Sequence, residues 1–338
     1  MENLIAKPSK LPSNQFDHFY KGGNRIGKLR KGPGGPMRPE EWIGSTTTRF
    51  GEQVNGLSKL ADGKLLKDVI NAAPATWLGE KHLAKFGNSI EILVKLLDPD
   101  QRLPVHYHPD QKFAAEKLHM NHGKTEAWII LDAPAGARVG LGFKKQMDKQ
   151  SVAALVKAHD SDGLLDSLVF IEVKAGDAIF VPAGVAHAIE AGIFVLELQE
   201  PTDLSILLEW DGFAVDGDKD GHLNLGYESA LDALRLSPLT SSESDQVVSR
   251  FESGASKSHA IFKSIADSFF RADYLTGDDK KVEAGFGIFL CLSGNGELSF
   301  ENSGKIAVEV GDAVVIPYAA GEFTANNCAG ILSRPPAA

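Results

Sequence analysis

The stretch from Gly176 to His187, Gly-Asp-Ala-Ile-Phe-Val-Pro-Ala-Gly-Val-Ala-His, predicts the fold of the first part of this chain. Gly176 permits a turn before a short apolar strand, and Pro182 and Gly184 bend the chain back after it. His187 is then expected on the next strand, facing inward. Short strands between tight turns are typical of a β-sandwich or a β-barrel.

Further strand-like runs lie on both sides of this stretch, and most of them end at Gly, Pro or Asp. They cover Ile90–Leu97, Ala127–Leu131, Arg138–Phe143, Leu168–Val173, Ala178–Val181 and Phe194–Gln199, with a later series at Phe286–Leu292, Glu297–Phe300, Ile306–Val310 and Ala313–Pro317. Helices are predicted at Lys149–Lys157, Leu223–Leu236 and Ser242–Ser253, and a polar linker at Asp216–Gly221.

A Gly-Asp turn that leads through an apolar strand into a proline occurs twice, from Gly176 to Pro182 and from Gly311 to Pro317. The equal spacing favours an internal duplication over chance. The second block has no histidine after His259, so we expect it to bind no metal. The sequence thus predicts a mainly β fold of two barrels joined by a few helices. The predicted parts are an N-terminal arm (1–45), a metal-binding domain (46–215), and a helical connection with a degenerate, metal-free barrel (216–338).

Four side chains form a candidate metal site. His106 and His108 flank Tyr107, so both imidazoles point to one face of a strand. Glu126 and His187 complete a set of three nitrogens and one carboxylate, which leaves positions open for water and substrate. We expect one divalent metal, with zinc ahead of iron or manganese. The remaining histidines are expected to be solvated (His18, His82, His159, His222 and His259) or to lie in loops or caps (His119 and His122).

Composition excludes several functional classes. The formal net charge is −10 and no dense run of Lys and Arg occurs, so a nucleic-acid partner is not expected. No stretch approaches about 18 uncharged apolar residues, so no membrane span is expected. The first seven residues lack the pattern of a signal peptide. Cys291 and Cys328 have no CxxC partner, which fits a reducing compartment. We therefore expect a cytoplasmic monomer or homodimer.

These motifs together resemble the type I mannose-6-phosphate isomerase family of the cupin superfamily. The resemblance is carried by Glu91–Asp98, Leu103–Asp110, Ala115–His119, Gly123–Trp128, Val181–Ile189 and Leu196–Asp203, with Glu41–Ser45 upstream. It implies two cupin-type (jelly-roll) barrels, the second degenerate, and a metal-dependent interconversion of mannose 6-phosphate and fructose 6-phosphate. The short distance from Glu126 to His187 is similar to that of the compact bacterial form.

The resemblance also implies roles in catalysis and substrate binding. Glu197 is the expected proton-transfer base, with hydrogen bonding to a ligand histidine as its alternative role. Lys124 and Lys95 complete the catalytic set, although Lys124 could instead be an exposed lysine at a strand edge. The expected substrate-binding residues are Glu41, Trp42, Asp203 and Trp210, although buried tryptophans more often belong to the core.

Two departures from the family pattern bear on substrate and metal. His106 stands where the family has a glutamine ligand, and Leu207 stands where it has an arginine. The strand around Leu207 also carries Glu209 and Asp211, which would repel a phosphate, although Lys95 and Lys124 could supply cationic groups. The sequence therefore leaves three alternatives open: an isomerase of an unphosphorylated sugar, a metal-dependent oxygenase, and a sugar-binding protein.

Overall fold

A computed structural model describes residues 6–251, 255–278 and 280–338. Within these ranges the chain is mainly β, which confirms the predicted class. Its strands are β1 (Ser9–Lys10), β2 (Glu40–Ile43), β3 (Leu93–Leu97), β4 (His106–Tyr107), β5 (Glu126–Asp132), β6 (Arg138–Phe143), β7 (Leu168–Glu172), β8 (Asp177–Val181), β9 (His187–Ile189), β10 (Phe194–Gln199), β11 (Ile206–Leu207), β12 (Val248–Arg250), β13 (His259–Ala260), β14 (Arg271–Leu275), β15 (Gly287–Phe300), β16 (Gly304–Glu309), β17 (Ala313–Ile316) and β18 (Phe323–Arg334).

The helices are short and lie between the strands. They are α1 (Arg25–Arg30), α2 (Leu66–Ala72), α3 (Pro74–Leu78), α4 (Glu80–Phe86), α5 (Gln111–Phe113), α6 (Lys149–Lys157), α7 (Ser161–Ser167), α8 (Gly217–Asp220), α9 (Tyr227–Ala230) and α10 (Ser241–Val247). None of them, in the part of the chain described, combines the length and apolar character that crossing a bilayer requires.

The strands form three antiparallel sheets. A six-stranded sheet has the order β12-β8-β5-β10-β3-β2, and a five-stranded sheet has the order β11-β4-β9-β6-β7. A seven-stranded sheet contains β1 and β13 to β18, so the N-terminal arm pairs with the C-terminal part of the chain. One hydrophobic core includes Trp128 of β5, Leu141 of β6 and Val315 of β17, and therefore joins all three sheets. The central strand β5 is an unbroken apolar run from Ala127 to Ile130 because both of its faces are buried.

The two Gly-Asp turns have the same hydrogen bonds. The carboxylate of Asp177 accepts from the backbone N–H of Lys174 at 3.0 Å, and that of Asp312 accepts from Glu309 at 2.9 Å. The glycines before them have φ angles of 91° and 89°, a region that favours glycine. This equivalence is the one an internal duplication predicts, and each turn leads into a buried strand, β8 or β17.

One of the three helix predictions is correct in extent. Helix α6 occupies Lys149–Lys157, and the side chain of Asp148 caps it by accepting from the N–H of Ser151. The predicted helix Leu223–Leu236 is wrong over half of its length, since only α9 and one further turn are helical. Its first two residues, Leu223 and Asn224, have positive φ angles that an α-helix cannot include.

Other predicted boundaries also need correction. In the predicted helix Ser242–Ser253, α10 ends at Val247 and the chain continues as strand β12, which pairs with β8; residues 252 and 253 lie outside the described ranges. The predicted linker Asp216–Gly221 contains helix α8, which Asp216 caps. The two predicted strands Phe286–Leu292 and Glu297–Phe300 are one strand, β15. His82, predicted to be solvated, is buried, and its Nε2 lies 2.6 Å from the carbonyl oxygen of Ser89.

Candidate metal centre and active site

Three buried histidines converge between the six- and five-stranded sheets. His106 on β4 and His187 on β9 are direct cross-strand partners, and His108 follows β4 on the same face. Their ligand-capable nitrogens all lie within 4.8 Å of one another. The alternation of side chains along a strand brings the first two residues of the motif together, and the bend after Pro182 brings His187 to them. Of the described residues, no other group of His, Cys, Asp and Glu has this geometry.

Hydrogen bonds to backbone carbonyls set the tautomer of each histidine. Every Nδ1 lies within 2.8 Å of a carbonyl oxygen, so Nδ1 carries the proton and donates it. The acceptors are the carbonyls of Pro104 for His106, Leu204 for His108 and Val185 for His187. The three Nε2 atoms therefore carry lone pairs. The Nε2 atoms of His106 and His187 are 3.0 Å apart, which suits two ligands of one cation better than a hydrogen bond.

Glu126 on β5 supplies the carboxylate from the opposite sheet. Its Oε2 lies 3.0 Å from Nε2 of His108, and its Oε1 lies 3.4 Å from Nε2 of His187. Nε1 of Trp128 donates to Oε1 at 2.9 Å, and Lys124 forms an ion pair with Oε2, but the unprotonated Nε2 of His108 has no hydrogen-bond partner among the described residues. Buried polar atoms without partners are rare and mark a missing ligand, ion or water. The donor set of three neutral nitrogens and one carboxylate fits a divalent metal with an open position.

Burial and neighbouring charges keep these groups in their metal-binding protonation states. Burial and the adjacent His187 hold the pKa of His106 well below its usual range. Burial lowers the pKa of both His108 and His187 to about 3. Burial alone would raise the pKa of Glu126, but the ammonium of Lys124 and the neighbouring His108 hold it well below its usual range. The cluster is thus three neutral imidazoles and one carboxylate at neutral pH.

A row of charged side chains continues from the metal centre across the inner face of the six-stranded sheet. Glu197 on β10 pairs with Lys95 on β3, two residues along from the row of Glu126. Nζ of Lys124 lies 3.2 Å from Oε2 of Glu126 and 3.9 Å from Oε1 of Glu197. Nζ of Lys95 lies 3.5 Å from Oε2 of Glu40. All five side chains are buried, so Lys124 is not an exposed lysine at a strand edge.

The surroundings of Glu197 and Lys95 raise both pKa values, for different reasons. Burial and the carboxylate of Glu126 raise the pKa of Glu197 well above its usual range, against the pull of the two lysines. Burial would lower the pKa of Lys95, but Glu40 and Glu197 outweigh it and raise that pKa. Since the Nδ1 atom of each ligand histidine is bonded to a carbonyl, Glu197 is not their acceptor.

A cavity of about 560 Å³ opens onto this row, a size typical of a small-molecule site. His106, Glu126, Lys124, Glu197 and Lys95 line it. Its other walls come from the N-terminal arm, from the segment Asp203–Leu207, and from α8 with the loop after it.

Of the four predicted substrate-binding residues, the structure places only Asp203 on the cavity. Glu41 points to the opposite face of β2, where Arg30 binds it at 2.8 Å. Trp42 is fully buried beneath Lys95, whose Nζ lies 4.5 Å from a ring centroid of the indole. Trp210 is buried against Tyr227 in a stacked pair. These three do not line the cavity, and their role in substrate binding stays a prediction.

Several cavity residues escaped the sequence analysis. Glu40 lines the cavity in place of its neighbour Glu41, because successive side chains of a strand alternate between faces. Trp128 lies two residues after Glu126 on the same strand, so the alternation of side chains indicates that it faces the cavity as well. His18 was predicted to be solvated, yet it is buried and lines the cavity, and Arg49 lines it too. Leu207 contributes an apolar patch of wall.

The fold is mainly β with antiparallel sheets, and its buried histidine cluster could hold a metal ion. The model of the phosphomannose isomerase type I catalytic domain matches residues 39–127, which supports the family resemblance of the motifs. The match covers β2, β3, β4 and the first two residues of β5, and it includes His106, His108 and Glu126.

The chain is also similar to individual proteins with related names. The chain is 35% identical to the mannose-6-phosphate isomerase of Streptococcus mutans over 204 residues, 59% of each chain. It is 27% identical to the probable mannose-6-phosphate isomerase GmuF of Bacillus subtilis, over 83% of this chain and 86% of the relative. The crystal structure of the mannose 6-phosphate isomerase from Bacillus subtilis superposes with a TM-score of 0.74 at 22% identity, covering 97% of this chain and all of the other. The match to the Streptococcus protein thus spans little more than half of its length.

Proposed function

We propose that the protein is a metal-dependent aldose–ketose isomerase that interconverts mannose 6-phosphate and fructose 6-phosphate. The proposal rests on one observation: a cluster of potential metal ligands and a pair of potential acid–base groups lie in the same cavity. Three histidines and Glu126 converge on one point, and Lys124 and Glu197 stand directly beside it. The substrate is inferred from the names of the relatives, which are mannose-6-phosphate isomerases.

The reaction moves one proton from C2 of the aldose to C1, while the hydroxyl proton on O2 passes to O1. A bound divalent cation would be held by His106, His108, Glu126 and His187, and would polarise the carbonyl and hydroxyl oxygens of the sugar. Glu197 takes the proton from C2 and returns it to C1. Burial and the carboxylate of Glu126 raise its pKa, which is the direction that strengthens a carboxylate as a base.

The lysines position and neutralise the carboxylates of the site. Lys124 lies between Glu126 and Glu197, where its ammonium can donate to the oxygen that gains negative charge in the enediolate. Lys95 is held over Trp42 and between Glu40 and Asp203, at 3.5 and 3.9 Å. This packing gives Lys95 one orientation, with its ammonium directed toward the sugar.

A coupled assay of the purified protein tests the proposal. Mannose 6-phosphate, fructose 6-phosphate and their unphosphorylated forms should be supplied in parallel, with metal analysis of the same sample. We expect isomerisation of the phosphorylated pair and about one metal ion per chain. If none of the four sugars is isomerised, the proposal fails.

A second candidate, isomerisation of an unphosphorylated sugar, is favoured by one observation. Leu207 occupies the wall where the family has an arginine, and Asp216 and Asp220 also line the cavity. Leu207→Arg should then improve the use of the phosphorylated sugar relative to the free one. A wild-type protein that already prefers the phosphorylated sugar by several orders of magnitude would eliminate this candidate.

The proposal includes finer features of organisation and cofactor. The chain would form two jelly-roll barrels. The barrel within residues 46–215 would bind the metal, and the degenerate barrel within 216–338 would bind none. Residues 1–45 would form the arm. The proposal also includes zinc as the metal, a cytoplasmic location, and a monomer or homodimer. The matching turns at Asp177 and Asp312 support the duplication. More than one tightly bound metal ion per chain would contradict the metal-free second barrel.

A further inference from the structure

The cavity has a second polar end, built by the N-terminal arm. Strand β2, with Glu40, lies three strands from β5 and Glu126, which is roughly 14 Å at about 4.8 Å per strand. His18 and Arg49 line the cavity beside β2. The charged row of the metal centre therefore leads into a pocket end that the ligand histidines do not occupy.

The ring of His18 is fixed by packing, but one of its nitrogens has no hydrogen-bond partner among the described residues. Its side chain is only 6% exposed, its ring stacks on Phe16 at 4.8 Å, and its Nδ1 lies 3.7 Å from Oε1 of Glu40. Its Nε2 is buried and has no hydrogen-bond partner among the described residues. A buried ring nitrogen left unpaired costs stability, and it therefore points to a ligand group that pairs with it.

Arg49 lines the same end of the cavity, and part of its guanidinium makes no hydrogen bond to the described residues. Its Nη1 lies 3.4 Å from the carbonyl oxygen of Asp17 and 3.2 Å from Oε1 of Glu52. Within the described ranges, neither Nε nor Nη2 of Arg49 has a hydrogen-bond acceptor. The group also lies 6.0 Å from the ring centroid of Phe16, the residue that supports His18.

The other cations of the cavity are already neutralised. Lys95 faces Glu40 and Asp203, and Lys124 faces Glu126 and Glu197. The acidic groups near Arg49 are also engaged. The carboxylate of Glu40 accepts from Tyr20 at 2.6 Å and from Trp42 at 2.8 Å, and that of Asp203 accepts from the backbone N–H of Phe50 at 3.1 Å.

Asp216 and Asp220 belong to a different wall, at helix α8. An anionic group on the substrate would be repelled from that wall. It would be attracted to the end lined by His18 and Arg49, where Nε and Nη2 of Arg49 have no acceptor among the described residues.

We propose that His18 and Arg49 form an anion-binding subsite that receives the phosphoryl group of a sugar phosphate. This inference rests on the proposed function and assigns to the arm the recognition that Leu207 cannot provide. A guanidinium with two adjacent free donors matches a phosphate in bidentate geometry, and the imidazole adds a third contact. The sugar carbons would then extend along the charged row toward the metal ligands.

Three variants test the subsite: Arg49→Gln, His18→Phe and the control Arg38→Gln. His18→Phe keeps a ring against Phe16 but removes the nitrogens. Arg38 belongs to the same arm, has a side-chain exposure of 33% against 29% for Arg49, and does not line the cavity. Steady-state rates should be compared for mannose 6-phosphate and free mannose, and binding of inorganic phosphate should be measured by calorimetry.

We expect Arg49→Gln to lower kcat/KM for mannose 6-phosphate roughly 10- to 100-fold, the range of a charge-assisted contact, and to change that for mannose less than about threefold. His18→Phe should lower the former about 2- to 10-fold, and Arg38→Gln should change neither. Phosphate binding should weaken in the first two variants only. Equal losses for both sugars, or no loss in Arg49→Gln, would overturn the subsite.

Two outcomes separate this inference from the proposed function. If the wild type isomerises mannose as well as mannose 6-phosphate, the subsite is refuted and the isomerase remains. If the wild type isomerises no sugar, the proposed function fails, and the subsite is then tested by the binding of inorganic phosphate. In that case, binding that is weakened by Arg49→Gln supports the subsite, and a wild type that binds no phosphate refutes it.

Discussion

Glu197→Gln is the substitution that isolates the chemical step. The side chain is 3% exposed and lies 3.9 Å from Nζ of Lys124, so an amide of the same shape fits with little rearrangement. The amide cannot take up a proton from carbon. We therefore expect kcat to fall by about 10²- to 10⁴-fold, or roughly 2.7–5.4 kcal/mol of barrier, with KM changed less than about threefold.

Metal content should not change in Glu197→Gln. The Nδ1 atoms of the three ligand histidines are bonded to backbone carbonyls rather than to Glu197, so the ligand set keeps its geometry. Metal analysis of the purified variant checks this point. It also separates a lost base from a lost cofactor, which would lower the rate for a different reason.

The assay should follow the transferred proton itself. In D2O, NMR detects deuterium incorporated at the carbon that receives the proton, and a coupled assay gives the turnover rate. Glu297→Gln, which removes a carboxylate paired with Lys305 far from the cavity, serves as the control. A Glu197→Gln protein that retains more than a tenth of the wild-type kcat would refute the assignment. If Lys124→Met stops the exchange and Glu197→Gln does not, Lys124 is the base.

Three further predictions concern metal, stability and pH. His187→Ala should abolish stoichiometric metal binding, and full occupancy by mass spectrometry would contradict the ligand set. Arg30→Met leaves the carboxylate of Glu41 buried without its partner, so the free energy of unfolding in urea should fall by about 3–5 kcal/mol. The hydrogen bond that His122 donates to the carboxylate of Glu91 raises the pKa of His122, so the stability that this pair contributes should be complete below pH 6.5 and disappear as pH rises through the raised value. Glu91→Gln should flatten that dependence in urea titrations at several pH values, and an unchanged slope would contradict it.

The metal ligands were predictable because their spacing is local. An HxH pair fixes two side chains on one strand face, and the turn from Gly176 to Gly184 fixes the direction of the strand that carries His187. The carboxylate required only that Glu126 begin a strand of the facing sheet. Each inference rested on the geometry of one element and on one strand pairing.

Residues brought in by long-range packing were not predictable in this way. His18 and Arg49 lie in irregular segments of low periodicity, and their place at the cavity depends on how the arm folds over β2. The assignment of Glu41 instead of Glu40 failed for another reason. Two adjacent residues of a strand point to opposite faces, so an error of one position moves a side chain from the cavity to the far side of the sheet.

The N-terminal arm contacts both halves of the molecule at once. Arg30 binds Glu41 of the six-stranded sheet and donates to the carbonyls of Leu11 and Gly311, while β1 pairs with β17. Dividing the polypeptide between residues 215 and 216 would therefore expose the edge of β17 in one fragment and leave the arm without its support in the other. Fragments made in this way should recover activity only when mixed, and the segment that carries His18 would order itself on the surface of the complementary fragment.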